Sequence, residues 1–367
     1  MANLKSRDEV RILAIESTCD ETAAAVITGK MAVLSSVIAS QNDFHAKFQG
    51  VVPEIAARAH VEAMLPVIDS ALMQAGLTLR EVDAVAVATK PGLGGSLLIG
   101  LLAAKALCVV LDKPLIEVNH IHAHIFACQI GRPESIFPCV GLVVSGGHTS
   151  LYRCESSQQF ELIGSTIDDA AGEAFDKVAA MMQLGFPGGA ALARLADKGD
   201  ANAYAFPRST PDQHGPLSFS FSGLKTAVRY ALANEGRADL APPIRTRVGQ
   251  APPLMRPAKE VSQKVLANIA ASFQSAVIDV LCRRCRKALA HTRLKRICVG
   301  GGVAMNQLLR TKLPASLRKD CEVLIASPEY CTDNAAMGAI AVEQFFAEDF
   351  AQLDIDCQAG LLRPPKN

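Results

Sequence analysis

The chain has 367 residues, 50% of them hydrophobic and 20% charged. This excludes a disordered chain and leaves enough apolar surface for two ordinary domains or one two-lobed unit. The formal net charge is +1, which excludes nucleic-acid binding through overall charge, so any such contact must come from a local patch. The 11 cysteines are scattered without a small-domain disulfide spacing, and the charged N-terminus lacks the long apolar run of a signal peptide. A cytoplasmic protein with reduced thiols and no membrane association is expected.

In chain order, residues 11–15 (RILAI) form a strand, ESTCDET a tight turn, and AAAVI a second strand. A helix follows over about 51–76, then a strand at 83–89 and a Gly-rich turn at 91–96 that opens another helix. The apolar stretch 97–111 is broken by Gly100 and Lys105 and reads as a buried helix, not a membrane span. A short strand, PLIEV (114–118), leads into NHIHAH. The strand–turn–strand grammar returns at 139–154, as CVGLVV, SGGHT and SLYRC. A helix is expected over 168–184, then PGG (187–189) and a polar turn region through SFSFSGLK. Residues 235–259, rich in Pro and Arg, read as an insertion loop. A long helix at about 261–291 precedes strand RICV (296–299), and GGGVAMN opens a further helix. Strand EVLIA (322–326), loop SPEYCTDN and helix AAMGAIAVEQFF close the pattern. Alternating strands and helices predict an α/β protein, and the repeated hairpin favours a two-lobed, duplicated architecture over a single doubly wound sheet.

Several clusters carry chemistry. His120 and His124 are four apart, so on a helix they share one face and can ligate one metal, while His122 points elsewhere. No glutamate of an HExxH motif is present, and the best third ligand is Asp333 in CTDN; two imidazoles and a carboxylate suit iron or zinc. ESTCDET crowds Glu16, Asp20 and Glu21 onto a turn that either holds a cation or is simply solvated. In Ser145-Gly146-Gly147-His148-Thr149 the two glycines permit close backbone approach to a ligand, or serve a hairpin. Asp169, Glu173 and Asp176 fall at i, i+4 and i+7 of the expected helix. They form either a ligand-binding stripe or a solvated face with a Glu173–Lys177 pair, and Phe175 with the alanines leaves limited room for a core face. Gly300-Gly301-Gly302 ahead of Asn306 suits a purine or ribose lying on backbone, or a tight turn. Cys282 and Cys285 read as helix residues, and the basic run 283–296 reads as a solvated face before a phosphate contact.

ESTCDET, NHIHAH, SGGHT, DDAAGEAFDK, PGG, SFSFSGLKT, GGGVAMN and CTDNAAMG occur in one order. From about residue 11 to 346 the chain resembles the universal tRNA threonylcarbamoyladenosine transferase family, TsaD in bacteria. The resemblance implies a two-lobed actin-like fold of the Hsp70 and sugar-kinase superfamily. The N-terminal lobe would span 1–136, with a C-terminal helix at 339–367 packing back on it, and the second lobe 137–338. It implies transfer of the threonylcarbamoyl group of threonylcarbamoyl-AMP to the N6 amine of the adenosine just 3′ of the anticodon, in tRNAs reading codons that begin with A. It also implies one divalent ion per subunit on His120, His124 and Asp333, with iron(II) ahead of zinc. Val143, Val144, Ser145, Gly146, Gly147, Asp176, Gly189 and Asn306 match positions that hold the nucleotide. Cys19, Asp20, Glu21 and His148 border the reaction centre. The implied partners are tRNA, a TsaB-like degenerate paralogue and a TsaE-like small ATPase. One departure is Ala193, where many relatives carry a ribose-binding carboxylate. The competing readings are a sugar kinase or ATPase of the same superfamily, and a metalloprotease.

Overall fold

The computed structural model describes residues 6–48, 50–208, 215–233 and 261–360; the expected insertion loop at 235–259 lies outside them. The first sheet begins with β1 (Arg11–Glu16), whose apolar run is buried on both faces, as a central strand requires. It pairs antiparallel with β2 (Glu21–Thr28), and β2 with β3 (Val33–Ser40). After α1 (Asn42–Ala46), the long α2 (Pro53–Ala75) starts with Pro at its first turn. It stops at Gly76, whose left-handed φ of 67° lets its N–H reach the carbonyls of Leu72 and Met73. β4 (Ala84–Lys90), α3 (Gly94–Leu111) and β5 (Leu115–Asn119) complete a sheet of order β3-β2-β1-β4-β5, with β4 and β5 parallel to β1. α2 and α3 pack together over one face of this sheet.

A short helix, α4 (His120–Phe126), carries the chain into the second sheet. There β6 (Cys139–Val144), β7 (Thr149–Cys154) and β8 (Phe160–Ser165) repeat the antiparallel meander. The helices α5 (Ala171–Met181), α6 (Gly188–Ala196), α7 (Ser222–Ala233) and α8 (Gln263–Thr292) follow. β9 (Arg296–Gly300), α9 (Gln307–Ser316) and β10 (Glu322–Ile325) then add two strands parallel to β6, giving the order β10-β9-β6-β7-β8. Strand for strand this is the first sheet again, so the structure is the expected duplicated, two-lobed α/β fold. Cys282 and Cys285 are buried helix residues of α8.

Several expectations need correction. The helix expected over 168–184 begins only at Ala171, because Glu173 reaches back to the N–H of Ala170, leaving Asp168 and Asp169 ahead of it. It also has a full core face, with Ala171, Ala174, Phe175, Val178 and Ala179 buried. α6 follows PGG where no helix was expected, and α7 begins inside the stretch that read as a polar turn region. The terminal helix, α10 (Ile340–Phe346), is short; beyond it the chain runs along the first lobe, Gln358 N–H donating to Thr89 O at 2.9 Å and Gly360 N–H to Gly92 O at 3.0 Å. α3 and α8 are both long and apolar enough to cross a membrane. α8 is a core helix, but α3 buries only one face and exposes Leu98, Leu102, Val109 and Val110, so the 97–111 helix is half-buried instead of buried.

Phe273 of α8 is fully buried and meets Phe175 of α5 edge to face, with centroids 5.3 Å apart. Phe273→Ala should cost about 3–5 kcal/mol of stability in urea unfolding; a loss below about 1 kcal/mol would show that this contact does not tie α5 to the core.

Candidate active site

Asn119 ends β5, and its side-chain oxygen accepts from the N–H groups of Ile121 (2.9 Å) and His122 (3.3 Å), which starts α4 on schedule. One turn of α4 then aligns His120 and His124 as expected, with ring centroids 4.6 Å apart and both rings buried. His122 does point away, stacking on Phe160 at 4.0 Å. Asp333 arrives from the loop after β10: its Oδ1 lies 3.2 Å from His124 Nε2 and 3.6 Å from His120 Nε2. Asn334 steadies that loop, donating to Thr332 O at 2.7 Å and accepting from Met337 N–H at 3.2 Å. One ligand atom from each of His120, His124 and Asp333 lies within 4.8 Å of the others, so the cluster can hold a metal ion. The chemistry of the site fits one: neither nitrogen of the buried His124 ring makes a directed hydrogen bond among the described residues, and a cation would satisfy the nitrogen facing Asp333.

The electrostatics follow from this crowding. Burial opposes charge on His120, but Glu16 and Asp333 outweigh it and push its pKa up to about 9. Burial lowers His124, and together with His120 and His124 it lowers His148 to about 3, leaving that ring neutral. Burial would raise Asp333; the imidazoles reverse this and hold it well below the usual range. Burial, with Asp333 and Asp20, pushes Glu21 up to about 10. Cys19 is raised by burial and by Asp20. The turn carrying Cys19, Asp20 and Glu21 is braced from α2 by the fully buried His60, which contacts Thr22 Oγ1 at 2.7 Å and Cys19 O at 3.0 Å.

The second hairpin turn meets the triad from the other sheet, placing the His148 ring 6.4 Å from His120, with His148 Nε2 unpartnered among the described residues. Ser145 N–H donates to His148 O at 2.8 Å, while Gly146 and Gly147 are exposed with open space where a side chain would stand. Val143 and Val144 are fully buried in β6 and paired with its neighbouring strands, so neither presents a surface to a ligand. Asp176 feels the charge of Asp20 and accepts from the N–H groups of Gly188 (2.8 Å) and Gly189 (3.1 Å), tying α5 to the start of α6. Asn306 caps α9 through Leu309 N–H and donates to Gln274 Oε1 at 2.7 Å, so its amide is engaged. Ala193 sits half-buried on α6.

The acidic stripe does not form: Asp169 pairs with Lys177 (2.7 Å) and Lys225 (3.3 Å), and Glu173 with Lys177 (2.8 Å). The basic run is partly engaged within the chain, with Arg284 buried against Pro216 O, Lys295 on Asp320 and Arg296 on Glu322. His60 escaped the sequence reading as a site residue, and Glu16 was read only as part of the acidic turn, not as the partner of His120. For Glu16 the available signal was a carboxylate ending a fully apolar strand.

With this geometry in view, comparison with known proteins is decisive. The family model of TsaD, tRNA N6-adenosine threonylcarbamoyltransferase, matches residues 32–340. The chain belongs to this family. A tRNA N6-adenosine threonylcarbamoyltransferase of Rhodopirellula baltica is 52% identical, covering 96% of this chain and 97% of the relative. One from Clostridium beijerinckii is 45% identical over 96% and 98%. Among solved structures, full-length HypF in its phosphate- and nucleotide-bound form matches with a TM-score of 0.57 at 15% identity, over 95% of this chain and 48% of that one. Component A of Acidaminococcus fermentans (R)-2-hydroxyglutaryl-CoA dehydratase matches at 0.50 and 14%, over 92% and 99%. These likenesses show the actin-like fold. The chain is thus an enzyme that places a threonylcarbamoyl group on N6 of adenosine in tRNA, and the kinase and protease readings are not favoured.

Glycines make the close packing around the triad feasible. A Cβ on Gly300 would meet the carbonyl oxygen of His124 at 2.0 Å, and one on Gly301 (φ +95°) the oxygen of Val144 at 2.3 Å. Gly300→Ala must therefore push α4 away from β9. It should cost about 1–3 kcal/mol in urea unfolding and weaken metal binding in the same protein; unchanged metal affinity would mean that β9 does not set the position of His124.

Proposed function

We propose that the donor is threonylcarbamoyl-AMP, seated between the two hairpin turns, and that the acceptor is the adenosine just 3′ of the anticodon in tRNAs reading codons that begin with A. The buried His120–His124–Asp333 cluster beside the open Gly146–Gly147 turn carries this reading. Ser145, Gly146 and Gly147, backed by the buried Val143 and Val144, hold the phosphate side of the donor. Asp176, Gly189 and Asn306 lie on its nucleoside side, Asn306 reaching it by exchanging its Gln274 partner.

The triad holds one divalent ion, iron(II) before zinc, since two imidazoles and one carboxylate leave positions open for other ligands. Such an ion supplies a Lewis acid beside the carbamoyl carbonyl. The adenosine amine forms a bond to the carbamoyl carbon, the carbon–oxygen bond to the phosphate breaks, AMP leaves and the amine gives up a proton. An exocyclic base amine is a weak nucleophile, so positioning carries much of the rate. His148, neutral through burial, offers its Nε2, unpartnered among the described residues, as a hydrogen-bond acceptor for that amine. Asp20 and Glu21 position the amine, and the exposed glycine amides stabilise developing negative charge. The cycle runs in the cytoplasm, in an assembly with a TsaB-like paralogue and a TsaE-like small ATPase.

The test is mass spectrometry of tRNA nucleosides after incubation with threonylcarbamoyl-AMP and the partner proteins, beside elemental analysis of the purified enzyme. The wild type should modify the tRNA and carry iron or zinc. His124→Ala and Asp333→Ala should lose the metal and at least about 10²-fold in rate, as when a main source of electrostatic stabilisation is removed. Full modification by a metal-free variant would refute the reading.

A further inference from the structure

The two imidazoles of the triad are not equivalent. His120 Nδ1 lies 3.0 Å from Glu16 Oε2 and 3.3 Å from Thr18 Oγ1, whereas His124 Nδ1 has no hydrogen-bond partner among the described residues. Glu16 is 3% exposed, and its other oxygen accepts from Thr18 N–H at 2.7 Å. This carboxylate therefore has both oxygens committed, one to the backbone of its own turn and one to the ring that reaches Asp333 through Nε2. A carboxylate behind a ligating imidazole fixes the tautomer and ring orientation and raises the basicity of the opposite nitrogen.

We infer that Glu16 is the positioning residue of the metal site: it holds the Nδ1 proton of His120, presents Nε2 to the ion and makes His120 the stronger of the two imidazole donors. The inference rests on metal binding at His120, His124 and Asp333. It assigns Glu16 no contact with substrate.

The decisive variant is Glu16→Gln, which keeps the shape but has a single acceptor oxygen and cannot serve both Thr18 N–H and His120 Nδ1. Metal-free protein is titrated with zinc against a competing chelator and with cobalt(II) by visible absorption, with circular dichroism confirming the fold of each variant. Glu16→Gln should bind zinc about 10–100-fold more weakly and shift the cobalt band. Thr18→Val, which removes only the longer contact, should weaken binding far less. If Glu16→Gln binds with wild-type affinity and spectrum while His124→Ala loses the metal, the inference about Glu16 fails alone. If His124→Ala binds as the wild type does, the metal reading fails with it. Should Glu16→Gln not fold, nitrogen-15 spectra of zinc-loaded wild-type protein decide the matter: His120 bound through Nε2 with a protonated Nδ1 is expected, and binding through Nδ1 overturns the inference.

Discussion

Two buried imidazoles and a partly buried carboxylate within reach of one another are the constraint around which this molecule is arranged. Left to themselves they would be costly, because buried polar atoms need partners and buried charge needs compensation. Much of the surrounding detail serves to hold them in place. The Asn119 side chain starts α4 so that one helical turn aligns both rings. Asn334 fixes the loop that delivers Asp333, and Gly300 lets β9 lie directly against the His124 backbone. Because α4 contacts β4 and β5 of the first sheet and β6 and β9 of the second, the cluster sits where the two lobes meet.

The duplication explains how one fold supplies two kinds of chemistry to this place. Both sheets carry a hairpin between their first two strands, and both turns approach α4. The first turn is rich in carboxylates, and burial with Asp333 and Asp20 pushes one of them, Glu21, up to about 10. The second is bare backbone, with Gly146 and Gly147 open to solvent and a neutral histidine after them. One copy contributes proton-bearing and charge-bearing groups, the other exposed amides. A divalent ion at the triad would offset the charge of Asp333, one of the causes that raise Glu21.

Much of this was legible in the residues. β1, β4 and β6 announced themselves as continuous apolar runs, because strands buried on both faces have no polar side to show. The histidine pair was readable because helical spacing alone puts i and i+4 on one face, and Asp333 because the chemistry lacked a third ligand. The edge strands β3 and β8 were missed: Ser35, Ser36 and Ser40 interrupt the first, and both are only partly buried. Glycine and proline hid α6 at its start, and serine hid α7, whose first turn is pinned by Asp168 accepting from the Ser222 hydroxyl at 2.7 Å. The acidic run stayed open between two readings since Lys225, which neutralises Asp169, lies on another helix, and pattern within one helix cannot show a partner from elsewhere. That Glu16 backs His120 stayed hidden for the same reason, the two lying 104 residues apart in the chain.

The central claim is that His120, His124 and Asp333 grip a single cation. The most direct measurement is an anomalous-scattering map, collected at the iron edge, from crystals of enzyme reconstituted with iron(II) under exclusion of oxygen. The account predicts one strong peak bonded to both imidazole Nε2 atoms and to the Asp333 carboxylate. No peak there, or iron bound only elsewhere on the chain, would contradict it.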